Sequence, residues 1–125
     1  MPLYTLAITT TGSAGTATGT GVIPSLPPCF VEAIKVTYAG AAPATTDVTL
    51  AGTLGMAQTI LTLTNVNTTG TYYPRHALHD TTGADTGSKG LFMVEGPIQI
   101  SVAQCDALAP AVTVQIRTVE NQEIH

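Results

Sequence analysis

Apolar and polar residues alternate with a period of two through most of the chain. The alternation is clearest in six stretches: "LYTLAITTT", "FVEAIKVTYAG", "TDVTLAG", "TILTLTN", "PIQISVAQ" and "AVTVQIRTVE". Successive side chains of an extended strand point to opposite faces, so this pattern predicts half-buried β-strands. In the second stretch, Glu32 interrupts an apolar face formed by Phe30, Ile34, Val36 and Tyr38.

Helical signals are weak by comparison. No window has the 3.6-residue apolar spacing of an amphipathic helix, and only "CDALAPA" is expected to form one short helical turn before Pro110. Turn signals separate the predicted strands: "SAG", "SLPPC", "AGAAP", "NTTG", "TTGADTGSKG", "EGP" and "CDALAP". About eight strands joined by short turns, without helical crossovers, predict an all-β protein built as an antiparallel β-sandwich or jelly roll.

A length of 125 residues predicts a single domain spanning 1–125. The Gly/Thr-rich segment 9–28, "TTTGSAGTATGTGVIPSLPP", allows two interpretations. It is either a flexible N-terminal arm or part of a long hairpin whose small residues pack closely against a neighbouring sheet or subunit. The excess of threonine favours the strand. Residues 119–125 are expected to form a short C-terminal tail.

Charged residues are scarce in this chain. Hydrophobic residues make up 44% of it and charged residues only 10%, with a net charge of −4. The four basic residues are Lys35, Arg75, Lys89 and Arg117. They are too few and too scattered for the basic patch that binds nucleic acid, and the same shortage disfavours an anionic membrane surface. No run reaches the length of about 18 apolar residues typical of a membrane helix. We therefore expect neither a nucleic-acid nor a membrane partner.

The cysteines are expected to be free. The N-terminal sequence "MPLYTLAITTTG" lacks the basic start and long apolar stretch of a signal peptide, which indicates synthesis in a cytoplasm. In that reducing compartment Cys29 and Cys105 should remain thiols and serve as small buried apolar residues.

The segment "TYYPRHALHDTTGADTGSKG" holds the residues best suited to chemistry. His76 and His79 are three positions apart, which on a strand places them on opposite faces, so they should not share a metal ion. Asp80 and Asp85 fall in a Gly/Thr-rich loop and are expected to be turn residues. The chain has no G-x-S-x-G nucleophile motif and no phosphate-binding loop with its lysine. We therefore predict no catalytic, cofactor or metal site, and a protein that is not an enzyme.

Four side chains are candidates for an interface with another protein: Tyr72, Tyr73, Arg75 and Arg117. Pro74 cannot donate a ladder hydrogen bond, so the strand "TYYPR" is expected at a sheet edge. Arginine readily forms bidentate pairs at interfaces. Arg75 should meet carboxylate or carbonyl oxygens, either within its own subunit or across a seam to a partner. The tyrosines serve either in packing or as part of a sugar-binding platform.

Three strings, "ATTDVTLAG", "TILTLTNVNTTGTYYPRHALHDTTGA" and "GPIQISVAQCDALAPAVTVQIRTVE", resemble small Thr/Gly-rich proteins of tailed bacteriophages. These are similar to capsid decoration, or cement, proteins of β-sandwich type. The resemblance covers about Thr45 to Glu120 and is most specific in "YYPR…HDTTG" and the "PIQISVAQ…VTVQI" hairpin. It implies a virion structural protein without catalytic residues, made in the host cytoplasm and placed on the capsid exterior, where it bridges subunits of the major capsid protein.

The same resemblance implies binding at local three-fold sites of the shell. A chain with so few charges has little to keep its copies apart, so a homo-oligomer is expected, and the three-fold sites favour a trimer. The alternative is a glycan- or receptor-binding β-sandwich domain of a phage fibre or adhesin, because many lectin-like domains are jelly rolls. The absence of tryptophan, the usual ring of sugar platforms, weighs against it.

Overall fold

Eight strands and no helix form the part of the chain that the computed structural model describes, residues 3–52 and 58–120. The strands are β1 (Leu3–Ile8), β2 (Ala17–Tyr38), β3 (Asp47–Gly52), β4 (Gln58–Leu63), β5 (Gly70–Tyr72), β6 (Arg75–His79), β7 (Asp85–Cys105) and β8 (Val112–Glu120). Every pairing is antiparallel. The predicted all-β antiparallel class is therefore confirmed. Within the described ranges, no helix is present that could span a membrane.

The strands form one continuous sheet, in the order β1-β8-β2-β7-β3-β4, with β5 added to β2 and β6 added to β7. This sheet folds back on itself because β2 and β7, of 22 and 21 residues, each serve several partners. The first half of β2 pairs with β7 and its second half with β8. Parts of this single sheet therefore lie over one another like the layers of a sandwich. The strand order does not confirm a jelly roll.

Two glycines let the folded layers approach each other. Side chains of β1 lie over the first half of β2, although the two strands are not hydrogen-bonded neighbours. A Cβ atom added to Gly21 would lie 2.6 Å from Ile8 Cδ1 and 2.8 Å from Leu6 Cδ2, and one added to Gly19 would lie 2.9 Å from Ile8 Cγ2. The atoms near Gly21 are ends of side chains that can shift, whereas a Cβ at Gly19 would also meet the backbone carbonyl oxygen of Thr9, so the close approach requires glycine at position 19.

Segment 9–28 is mostly strand. Residues 17–28 belong to β2 and pair with β7, so the interpretation as a flexible arm is wrong for them. The preceding residues connect β1 to β2 and are tied to the chain near its other end. Thr10 Oγ1 donates to the carbonyl of Asp106 at 2.6 Å, and the N–H of Gly15 donates to Asp106 Oδ1 at 2.8 Å. Of the predicted tail, residues 119 and 120 are in β8, and 121–125 lie outside the described residues.

Several predicted turns are instead irregular strand. β2 runs through "SLPPC", and β7 runs through "DTGSKG" and "EGP". The β2–β7 register shifts between Ile23 and Leu26 and again between Leu26 and Cys29, where the prolines lie. Proline is tolerated in a strand at such irregular positions, which explains why a turn signal did not end the strand. The helical turn expected before Pro110 is also wrong, because residues 106–111 form a non-helical loop.

A bulge in β2 corrects the predicted face of that strand. Val31 pairs with Thr118 and Ala33 pairs with Arg117, which leaves Glu32 as the extra residue. The positions that belong to the core change parity there: Cys29 and Val31 before the bulge, Ile34, Val36 and Tyr38 after it. Simple alternation predicted that Phe30 and Ile34 share a face. Because of the bulge between them, they do not.

The core is built mainly from β-branched side chains. Its largest fully buried members are Ile8, Ile34, Leu50, Ile98, Ile100, Ile116, Val31, Val36, Val48, Val102, Val112 and Val114. Isoleucine and valine pack well on a pleated surface, so the core composition and the strand content have the same cause. Cys29 and Cys105 are free thiols buried in this core.

Candidate interaction surface

The two candidate tyrosines have different environments. Tyr72 ends β5, pairs with Ile34, and packs partly buried against the core. Tyr73 follows it and is 63% exposed. Alternation along an extended chain sends neighbouring side chains to opposite faces. Tyr72 therefore contributes to packing, whereas Tyr73 is available at the surface.

An open groove of about 380 Å³ crosses the outer face of β1, β8, β2 and β5. Its lining residues are Leu3, Ala33, Lys35, Thr71, Tyr73, Gln115 and Arg117. Two of the four candidate residues, Tyr73 and Arg117, thus meet here. Lys35, Leu3 and Gln115 were not predicted as site residues, because they lie on strands far apart in the sequence and no local motif joins them.

The bulge residue Glu32 connects the two candidate arginines. Arg75 Nη1 donates to the backbone carbonyl of Glu32 at 3.1 Å and to that of Pro74 at 2.8 Å. Arg117 Nη1 lies 3.6 Å from Glu32 Oε1, with side chains 54% and 30% exposed. Exposed ion pairs of this kind contribute about 0–1 kcal/mol. Both guanidinium groups therefore remain accessible to a partner, and Arg75 makes its contacts to carbonyl oxygens within the chain.

Strands β6 and β7 extend as an exposed hairpin, with residues 78–89 all exposed. Its turn is organised by Asp80, whose Oδ1 accepts hydrogen bonds from Thr82 N at 2.8 Å, Thr82 Oγ1 at 2.6 Å and Ala84 N at 3.1 Å. These hydrogen bonds, first that of the Thr82 hydroxyl, hold the pKa of Asp80 below its usual value. Asp85 Oδ1 accepts from Gly87 N at 2.7 Å. The prediction of a turn residue is confirmed for Asp80, but it is wrong for Asp85, which is the first residue of β7 and pairs with His79.

The histidines are separated in environment. His76 is half-buried; its Nδ1 lies 3.1 Å from the carbonyl oxygen of Ala77 and its Nε2 lies 2.9 Å from that of Leu91. Its ring meets Phe92 edge-on, with centroids 5.2 Å apart. His79 is exposed. His76 therefore has a packing role in the hairpin, and the described part of the chain contains no group of three or more residues arranged to hold a metal ion.

Burial favours the neutral form of two titratable side chains, Cys29 and Tyr38. Burial raises the pKa of the Cys29 thiol, and a hydrogen bond with Thr118 only partly opposes this. Burial, with a smaller contribution from Tyr72, raises the pKa of Tyr38 to about 12. The Tyr38 hydroxyl is buried and has no hydrogen-bond partner among the described residues. A reactive cysteine needs a lowered pKa and access, so Cys29 has the properties of a structural residue.

No protein-family model, curated protein or solved structure matches this chain. The resemblance of its sequence strings to tailed-phage decoration proteins stays a prediction. The described surface offers two features that bear on function: an open groove with two cations and a tyrosine, and the exposed hairpin of β6 and β7.

Proposed function

We propose that this protein is a virion structural protein that decorates the exterior of a tailed-bacteriophage capsid and stabilises it by bridging major capsid protein subunits. The observation that carries the proposal is the kind of surface it presents. The groove around Tyr73 and Arg117 is open and the adjoining hairpin is exposed along residues 78–89. Such features suit contact with another protein over a broad area better than they suit enclosure of a small substrate.

The composition supports the same role. Only 10% of residues are charged, and exposed threonines lie on several strands, among them Thr5, Thr20, Thr37 and Thr71. A cement protein has to match neighbouring subunits over wide β surfaces with hydrogen bonds and few desolvated charges. We propose that it acts as a homotrimer at local three-fold sites, since low charge favours self-association and closed symmetry is its usual outcome. The role is non-enzymatic and uses no cofactor.

A second candidate function has one observation in its favour. Tyr73 is 63% exposed at the edge of a groove that also holds Thr71, Gln115 and Lys35. An exposed ring beside hydrogen-bonding side chains is the arrangement on which a sugar can stack. A glycan- or receptor-binding domain of a fibre or adhesin is therefore the alternative.

Co-sedimentation with capsids separates the two. Purified protein is mixed with expanded, undecorated capsids of the phage that encodes it and centrifuged. The decoration role predicts saturable co-sedimentation, and capsids already carrying the protein serve as the control, because their sites are filled. Failure to co-sediment, together with a selective hit on a glycan array, would favour the adhesin function.

A further inference from the structure

Strand register explains how the groove is assembled. Leu3 on β1 pairs with Arg117 on β8, and Arg117 in turn pairs with Ala33 on β2. Tyr73 follows Tyr72, the partner of Ile34, and so ends this row beside Ala33. Ala33 is only 6% exposed, and its methyl group is the small floor between the larger side chains on either side. The pairing register of four strands, β1, β8, β2 and β5, therefore determines which side chains line the groove.

A second row supplies the other cation. Lys35 lies two residues along β2 from Ala33 on the same face, and it pairs with Gln115 on β8 and Thr71 on β5. Among the described residues Lys35 has no ion-pair partner, and Arg117 has only the half-buried carboxylate of Glu32, at 3.6 Å. The groove therefore contains two cations whose charges are largely uncompensated.

The rest of the molecule has the opposite charge. The net charge is −4, and of the four basic residues two line the groove while Arg75 contacts the neighbouring Glu32 carbonyl. Only Lys89 lies apart, in the exposed hairpin. A positive groove on an acidic protein attracts an anionic partner to this place and repels it elsewhere, which favours one binding orientation.

We infer that the groove binds an extended, acidic segment of a partner protein, with carboxylates at alternate positions directed to Lys35 and Arg117. Alternate side chains of an extended peptide lie on one face, so two acidic residues can reach the two rows together. Arginine accepts a carboxylate in a bidentate geometry. Leu3, 55% exposed, and the Tyr73 ring offer apolar contacts to the intervening chain. Two cations and an exposed leucine fit such a peptide better than a sugar with a single carboxylate.

This inference rests on the proposed function for the identity of the partner, a segment of the capsid protein, but not for the chemistry of the groove. The chemistry is tested with the protein alone. A capped peptide of alternating glutamate and threonine is titrated into isotopically labelled protein, and amide shifts are followed by nuclear magnetic resonance. The control peptide replaces each glutamate with glutamine.

Three variants give the test its specificity. Lys35→Gln should weaken binding of the acidic peptide about three- to ten-fold, whereas Lys89→Gln, the matched loss of a lysine outside the groove, should leave it unchanged. Glu32→Gln removes the carboxylate that competes for Arg117 and should tighten binding about two-fold. The glutamine peptide should not bind, and shifts should cluster on β2, β5 and β8. The two lysine side chains are exposed, so the spectra of these variants should retain native dispersion.

The contrary results are equally definite. Equal weakening by Lys35→Gln and Lys89→Gln would mean non-specific attraction and would overturn the inference. So would binding of sialylated oligosaccharides in the groove without binding of the acidic peptide. Capsid co-sedimentation separates the proposed decoration function from the inferred peptide site in the groove. If the wild-type protein binds capsids and Lys35→Gln binds them equally well, the groove is not the capsid-binding site, but decoration stands. If Lys35→Gln weakens peptide binding and the wild-type protein does not bind capsids, decoration is refuted, but the groove remains a binding site for acidic peptides.

Discussion

The backbone carbonyl of Glu32 accepts a hydrogen bond from Arg75 Nη1 at 3.1 Å, at a bulge in β2. The side chain of the same residue lies 3.6 Å from Arg117 Nη1. One extra residue in a strand thus positions both arginines that the sequence marks as interface candidates. Since bulges often re-aim side chains, this one provides a physical reason why two arginines distant in sequence contact the same residue.

Replacement of Arg75 should have little effect on folding. Arg75→Gln removes two exposed hydrogen bonds to carbonyl oxygens, so the free energy of unfolding should fall by less than about 1 kcal/mol in urea denaturation. Arg117→Gln should behave in the same way. A loss of about 3 kcal/mol or more would instead indicate a buried structural pair, and would remove both residues from the candidate surface.

Removal of the Tyr38 hydroxyl should stabilise the protein. The hydroxyl is buried and finds no hydrogen-bond partner in the described part of the chain, so folding removes its water without a replacement bond. Tyr38→Phe should raise the free energy of unfolding by about 1 kcal/mol in urea denaturation. Tyr73→Phe is the matched control, and because Tyr73 is exposed its stability should not change. Destabilisation by Tyr38→Phe would mean that the hydroxyl is bonded after all.

Tyr38 should also make stability decline at high pH. Burial raises its pKa from 10.0 to about 12 in the folded protein, whereas the unfolded chain ionises near the ordinary value. The contribution to stability is therefore fully present below pH 10 and is lost as pH rises toward 12. Denaturation at a series of pH values between 9 and 12 should show this loss, and Tyr38→Phe should reduce it. Identical pH profiles would contradict the shifted pKa.

The thiols should be protected from reagents in the folded state. Cys29 and Cys105 are buried, and burial raises the pKa of Cys29, so little thiolate is present or accessible near neutral pH. A colorimetric thiol assay should find slow reaction in native protein and two free thiols per chain in denaturant without reductant. Rapid native reaction, or fewer than two thiols in fresh protein, would show that the thiols are exposed or bridged.

Addition of one methyl group at Gly19, where β1 packs over β2, should destabilise the protein. A Cβ atom there would meet the Thr9 carbonyl oxygen and Ile8 Cγ2, and backbone atoms of β1 cannot easily move aside. Gly19→Ala should cost about 1–3 kcal/mol in urea denaturation, as overpacking typically does. Gly40→Ala is the control, because no atom of residues 3–52 or 58–120 lies within 4 Å of the added Cβ position. Equal effects of the two substitutions would contradict the packing of β1 over β2.

Sequence patterning predicted the strand class because alternation and β-branched residues are local signals. It failed for features that depend on tertiary context, namely the bulge in β2 and the continuation of strands through turn signals. Alternation cannot locate a bulge, so it put Phe30 on the face of Ile34. The turns predicted at "SLPPC" and "EGP" are absent because the long strands β2 and β7 accommodate proline and glycine at irregular positions. Of the candidate residues, Tyr73 and Arg117 meet in the groove, but Tyr72 packs inward. Lys35 carries no local signature, since its role arises only from cross-strand pairing.

The proposed decoration of a capsid can be tested by cryo-electron microscopy of expanded capsids with and without saturating amounts of the protein. Decoration predicts additional density of β-rich subunits on the outer surface at local three-fold sites, absent from the bare shells. Indistinguishable capsid maps under saturation, or density confined to tail fibres of intact virions, would contradict it.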